Sequence, residues 1–177
     1  MLVNLTDVFL NEGKVLELSI PYEKDEFCTA MGKFKIKEAT PVSLKLSNLG
    51  PSKALIEGNA KLTFIMQCDR CLQDVDHTFE LTFCEEVVSP DKFAGDSKDE
   101  DDDENSFMEE YHLNVDVLVE NEILLNWPMK ILCKEDCKGI CKVCGKNLND
   151  GDCGCDDFVP DPRWAAIKDI FNANKEV

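Results

Sequence analysis

The sequence predicts an α+β fold: a mainly antiparallel sheet or partly open barrel in the N-terminal half, with helices and a Cys-rich zinc knuckle in the C-terminal half. Three observations carry this prediction. Extended runs fill residues 15–88, and several alternate polar and apolar residues with the period of two of a half-buried strand. Apolar residues at helical spacing, closed by a proline, appear only after residue 114. Six cysteines crowd into residues 133–155, a clustering that packing does not explain.

Taken in order, residues 15–20 form a short extended run that ends at Pro21. Residues 22–32 have no clear period, and a short helix and a loop both remain open. Lys33-Phe34-Lys35-Ile36-Lys37 alternates cleanly, as do residues 42–46. Asn48-Leu49-Gly50-Pro51 is a turn signal. Residues 54–66 give a longer strand in which Gly58 marks a bulge or bend. Residues 75–88, rich in Phe, Thr and Val, give its partner, and Cys68-Asp69-Arg70-Cys71 lies at the hairpin turn between them. Residues 89–106 contain the run DSKDEDDDENS, a self-repelling block with no apolar period, expected to be a disordered loop. A strand is expected at 111–114. Val115, Leu118, Val119, Ile123 and Leu125 then share helical spacing until Pro128. Near the end, Asp161 is placed to cap a helix that Pro162 can begin, with Trp164, Ile167, Ile170 and Phe171 on one face. The expected division is a β domain at 1–88, the acidic loop at 89–106, and a segment at 107–177 whose helices and Cys cluster pack on the same domain.

Charge is unevenly spread. The chain carries a formal net charge of -17, and residues 85–110 alone hold twelve acids against two lysines. Two stretches run the other way. Lys33, Lys35, Lys37, Lys45 and Lys53 face one acid, Glu38, in residues 31–53. Lys130, Lys134, Lys138, Lys142 and Lys146 face Glu135 and Asp136 in residues 128–149. These are the candidate contacts for an anionic partner such as RNA, with Lys134, Lys138, Lys142, Lys146, Lys33, Lys35 and Lys37 foremost. The surrounding acidity suits a basic protein better. No apolar run approaches the roughly 18 residues of a membrane span. The N-terminus has no positive charge ahead of an apolar stretch and no small-residue cleavage site, so the expected compartment is the cytoplasm.

In that compartment ten cysteines read as metal ligands or redox groups before disulfides. The C-terminal pattern is Cys133-x3-Cys137-x3-Cys141-x2-Cys144-x8-Cys153-x-Cys155. A Cys-x2-Cys turn points two sulfurs inward, and Gly145 after it lets backbone N–H groups share their charge. Residues 147–151 return the chain to Cys153 and Cys155. The expectation is one structural zinc ion held by Cys141 and Cys144 with two of Cys137, Cys153 and Cys155, and with Cys133 as a further candidate. An iron–sulfur cluster is the competing reading. Cys68 and Cys71 form half a site. They could be completed by a distant cysteine such as Cys133, act as a redox pair, or be incidental. A redox pair favours a helix N-terminus, and here strands flank the motif. Cys28 and Cys84 are expected in the core.

Catalytic constellations are absent from the sequence: no Gly-rich phosphate loop, no GxSxG, no HExxH, and no nucleophile spaced against His77 or His112. Glu120 and Glu122 are expected to face solvent or a lysine.

CDRC at 68–71, FCEEV at 83–87, VLVENEILLNWPMKILC at 117–133, CKGICKVCGKNLN at 137–149 and DPRWAAIKDI at 161–170 together resemble the YceD family, the bacterial large ribosomal RNA subunit accumulation proteins. Ile167 and Ile170 stand where the family pattern has Leu. The resemblance implies a non-enzymatic role in large-subunit rRNA accumulation or ribosome assembly, through contact with precursor rRNA or a ribosomal protein. An RNA-processing enzyme and a thiol redox or metal-handling protein are the alternatives. Neither a membrane nor a small-molecule substrate is implied.

Overall fold

The computed structural model describes residues 1–30, 32–92 and 107–155. The C-terminal helix expected after Asp161 and most of the acidic segment lie outside them. The chain divides into two compact units: residues 1–67 with 74–131, and residues 68–73 with 132 onward.

The first unit is built on strand alternation. Its elements are β1 (Leu2–Asn4), α1 (Thr6–Leu10), β2 (Val15–Ile20), β3 (Glu26–Thr29), β4 (Gly32–Ala39), β5 (Val42–Gly50), β6 (Lys53–Gln67), β7 (Asp74–Val88), a 3-10 turn at Pro90–Lys92, β8 (Met108–Glu109), β9 (His112–Asn114) and α2 (Val115–Leu125). Strands β2 to β7 form an open antiparallel sheet, and β1, β9 and β8 form a second, three-stranded one. The centre of the larger sheet is β6. Its whole length pairs with β7 from Lys53↔Val88 to Gln67↔Asp74. Its other edge is shared, with β5 along Lys53–Asn59 and β4 along Leu62–Ile65. Every second residue of β6 is buried: Ala54, Ile56, Gly58, Ala60, Leu62, Phe64 and Met66. Phe79, Leu81, Phe83 and Val87 of β7 complete the same core. Burial of this stripe is the main force holding the sheet.

Several expectations change here. Residues 26–29, left open between helix and loop, form β3, which pairs antiparallel with Gly32–Lys35 of β4. Gly58 makes no bulge, because its register runs unbroken between Leu44 and Phe83. It is a gap for a ring: a Cβ there would stand 2.4 Å from the Phe83 ring. The register shifts instead between Ile36 and Glu38 and between Asn48 and Gly50. The turn signal at 48–51 acts late, since β5 runs on to Gly50 and Pro51–Ser52 make the turn. The helical C-terminal half is corrected as well: among the described residues it contributes one helix, α2, and the rest is strand, turn and loop. Asn114 caps α2 by accepting from the Val117 N–H at 3.4 Å. Val115, Leu118, Val119 and Ile123 are buried. Beyond it, Trp127 packs on Phe27, Phe34 and Phe79 at centroid distances of 5.9, 4.8 and 5.6 Å. No helix among the described residues is long and apolar enough to cross a membrane.

Candidate metal centres

The second unit gathers eight of the ten cysteines into two sets of four. Cys68, Cys71, Cys133 and Cys137 form one, Cys141, Cys144, Cys153 and Cys155 the other, and within each set all sulfurs lie within 4.8 Å of one another. Cys137, grouped by spacing with the knuckle, belongs with Cys133 and the Cys68–Cys71 pair. Where spacing suggests one site, two groups could each hold a metal ion, and Cys133 completes the Cys68–Cys71 pair, one of the readings left open by the sequence. Sequence spacing could not show this, because the first set joins segments more than 60 residues apart. Cys28 and Cys84 are exposed on strands, not in the core.

The first set starts at the hairpin tip. The Cys68 N–H donates to Gln73 O at 2.8 Å and the Leu72 N–H to Cys68 O at 2.9 Å. This tight loop, with Leu72 at φ 60°, turns Cys68 and Cys71 to one side. Arg70 then ties the tip to the distant ligands. Its Nη1 donates to Cys137 O at 2.8 Å, and its carbonyl accepts from the Ile140 N–H at 3.1 Å. Gly139 is required at this crossing: φ is +77°, and a Cβ would meet Arg70 O at 3.1 Å. The Sγ atoms of Cys68 and Cys137 are 3.8 Å apart, and those of Cys71 and Cys133 3.5 Å. Four sulfurs around one zinc ion at about 2.3 Å define a tetrahedron whose edge is about 3.8 Å. A disulfide would need about 2.05 Å, and all these cysteines are free.

The second set is the knuckle. The Gly145 N–H closes on Cys141 O at 2.9 Å, and the Val143 N–H points at Cys141 Sγ at 3.4 Å. Residues 146–149 fold back on 137–141: Cys141 N–H to Lys146 O at 2.8 Å, an Ile140–Asn147 bridge, and Leu148 N–H to Gly139 O at 2.8 Å. Asn149 finishes the pairing. Its Oδ1 accepts from the Lys138 N–H at 3.0 Å, and its Nδ2 donates to Cys137 Sγ at 3.3 Å. The run NLN, readable in sequence only as a polar turn, thus contains a side chain that reaches a sulfur of the other set. Cys68, Cys71 and Cys137 are buried. In the second set only Cys141 is, and Cys144 is exposed.

The electrostatics suit a cation. Burial raises Cys68, yet N–H groups of Cys71, Arg70 and Cys133 outweigh it and hold the thiol at about 6. The Asn149 amide lowers Cys137. Burial and the neighbouring thiols push Cys133 up to about 12. In the knuckle, N–H groups of Cys144 and Val143 bring Cys141 to about 7, while the thiols of Cys144 and Cys153 push Cys155 up to about 12. Backbone dipoles favour thiolates, but four together repel, so only some ionise unless a cation joins them.

The candidate lysines fall into two groups. On the sheet, Lys37 pairs with Asp76, Lys45 with Glu57 and Lys53 with Glu86. Lys33 and Lys35 are exposed on β4. In the metal segment Lys134, Lys138, Lys142 and Lys146 are all exposed. Lys146 Nζ donates to Asp152 O at 3.2 Å, and the other three make no ion pair with a described carboxylate. Glu120 meets Lys24, as expected of it, but Glu122 is buried on α2.

A family model described as large ribosomal RNA subunit accumulation protein YceD matches residues 56–171, a span that includes both cysteine sets. Uncharacterized proteins of Mycobacterium bovis and Mycobacterium tuberculosis are 25% identical over 122 residues, which are 69% of this chain. The chain spans 58% of the length of these curated relatives. No solved structure matches it.

Proposed function

Since the chain belongs to the YceD family of large ribosomal RNA subunit accumulation proteins, we propose that it is a non-enzymatic, cytoplasmic, zinc-containing factor that supports accumulation of large-subunit rRNA. Cys68, Cys71, Cys133 and Cys137 would hold one zinc ion, and Cys141, Cys144, Cys153 and Cys155 a second. The observation that carries the metal reading is the pair of compact four-sulfur sets, each with all sulfurs within 4.8 Å, the first with Sγ pairs at 3.8 and 3.5 Å, near the edge of a single-ion tetrahedron. A multi-iron cluster spreads its sulfurs around several metal atoms, which favours zinc for sets this tight. The ions would serve structure: they close loops that bury too few apolar side chains to fold alone.

Contact with precursor rRNA falls to Lys134, Lys138 and Lys142. A metal-fixed backbone holds these lysines in place, which lowers the entropy lost when they meet phosphates. On the sheet, Lys37, Lys45 and Lys53 are matched by acids across the strands, which leaves Lys33 and Lys35 as its remaining candidates. A second reading, a basic ribosomal protein as the direct partner, is favoured by the net charge of -17. One experiment separates them. Tagged protein and its Lys134→Glu, Lys138→Glu, Lys142→Glu variant are recovered from cells, and the bound RNA and proteins are identified. The RNA reading expects large-subunit rRNA with the parent, a loss in the variant at unchanged zinc content, and a shallower salt dependence of what remains. Unchanged rRNA association, or zinc loss alone, defeats it. A ribosomal protein retained after nuclease treatment supports the second reading. RNA cleavage by the purified protein, abolished by a point substitution, would defeat the non-enzymatic assignment.

A further inference from the structure

We propose that the two cysteine sets load metal cooperatively, with Asn149 as the positioning residue that couples them. The inference rests on the zinc reading above and deepens it. Asn149 lies in the loop between Cys144 and Cys153, so its position is fixed when the knuckle closes. Its amide does not point at the knuckle. It donates to the sulfur of Cys137, a ligand of the other set, at 3.3 Å. The same side chain accepts from the Lys138 N–H at 3.0 Å, and its own Nδ2 and backbone N–H both reach Asn147 Oδ1 at 2.9 Å. The amide is therefore oriented by two further hydrogen bonds, with a third from its backbone N–H holding the residue, and which end faces sulfur follows from the donor role of the Lys138 N–H.

Each half of this contact is made by a different ion. A metal at Cys141, Cys144, Cys153 and Cys155 closes the loop and delivers Asn149. A metal at Cys68, Cys71, Cys133 and Cys137 fixes Cys137 as a thiolate, the stronger acceptor. The backbone between the centres is continuous as well. Only three residues separate Cys137 from Cys141, and all three are engaged: Lys138 with Asn149, Gly139 with Leu148, and Ile140 with both Asn147 and Arg70. Filling either set removes disorder that the other would otherwise have to remove, so each ion raises the affinity for the other by the same factor. Hydrogen bonds to metal ligands of this kind change metal affinity by about 10–100-fold, and the coupling is expected at the lower end, about tenfold, because the loop backbone remains paired without the amide.

The test is a double-mutant cycle on the full chain, read by native mass spectrometry during zinc titration of the apo protein. For sets of similar affinity, the parent should hold the one-zinc species to about a quarter of the chains at the midpoint, against about half without coupling. Asn149→Ala should still reach two zinc ions, with the one-zinc species now prominent. Cys144→Ser, which disables the knuckle, should weaken zinc at the first set about tenfold, and adding Asn149→Ala to it should weaken it no further. A first-set affinity unaltered by Cys144→Ser, or a full second loss in the double variant, overturns the coupling while leaving the zinc reading intact. Fewer than two zinc ions in the parent at saturation overturns the zinc reading itself. The cobalt-loaded forms supply an independent readout: thiolate-to-metal absorption should rise in one phase in the parent and in two in Asn149→Ala.

Discussion

Single residues set some of the sharpest constraints in this molecule. Gly58 reads in sequence as a bend, because a glycine inside a strand usually signals one. Its neighbours give a different reason: the Phe83 ring occupies the space of its missing side chain. Gly58→Ala is expected to destabilise the sheet by about 2 kcal/mol through overpacking, measured as a lower urea midpoint, and Phe83→Leu in the same chain should recover part of the loss. Glu122 is a second case. As a carboxylate it is expected at solvent, yet it follows Leu118 and Val119 by four and three residues, on the apolar face of the helix; it is 7% exposed, and burial first and then Glu85 raise its carboxyl above the ordinary value of 4.5. A raised acid favours the fold while protonated and loses that contribution as pH climbs through its folded-state value. Glu122→Gln should therefore raise the melting temperature at pH 7, and the gain should vanish below about pH 4.5. A gain that persists in acid would mean that packing, and not charge, is the cause.

At the scale of elements, what is legible follows from period. The alternation in residues 33–37 and 42–46 announces β4 and β5, the extended run at 54–66 and the Phe-, Thr- and Val-rich run at 75–88 announce β6 and β7, and the apolar spacing with Pro128 announces α2, because these elements bury one face and their sequences show it. Four-residue β3 escapes, since Glu26-Phe27-Cys28-Thr29 buries one side chain, Phe27, and offers no period to read. The short pieces β1, α1 and β8 escape for the same reason. Trp127, just past α2, closes the aromatic cluster with Phe27, Phe34 and Phe79. Trp127→Ala should lower stability by about 3 kcal/mol, read by chemical denaturation, whereas a change under about 0.5 kcal/mol would show that the cluster is ornamental to the fold. The β6–β7 hairpin links this apolar half to the cysteine chemistry, because its tip carries Cys68 and Cys71. Spacing alone exposes half of that site; the partners, Cys133 and Cys137, are set by the tertiary path of the chain and by Arg70.

For the whole molecule, the division into a sheet unit and a cysteine unit implies two kinds of stability. The first rests on apolar burial, and the second, on the proposed reading, would rest on metal. Removing metal with a strong chelator should release amide protection across residues 132–155 and in the 68–73 loop, while β5, β6 and β7 keep theirs in hydrogen exchange. Loss of protection throughout would show that the sheet depends on the ions. On the proposed reading, a role in rRNA accumulation would fall to a chain whose acids dominate in number but whose Lys134, Lys138 and Lys142, exposed and without an ion pair to a described carboxylate, lie in the cysteine-rich segment. The claim on which all this depends is that eight cysteines hold two zinc ions. The direct measurement is metal content per chain, by elemental analysis of protein purified without chelator, in the parent and in Cys68→Ser with Cys71→Ser. Two zinc ions in the parent, with a loss in the variant and no iron, is the predicted result. A single zinc ion unaffected by the loss of Cys68 and Cys71, or iron in place of zinc, would contradict it.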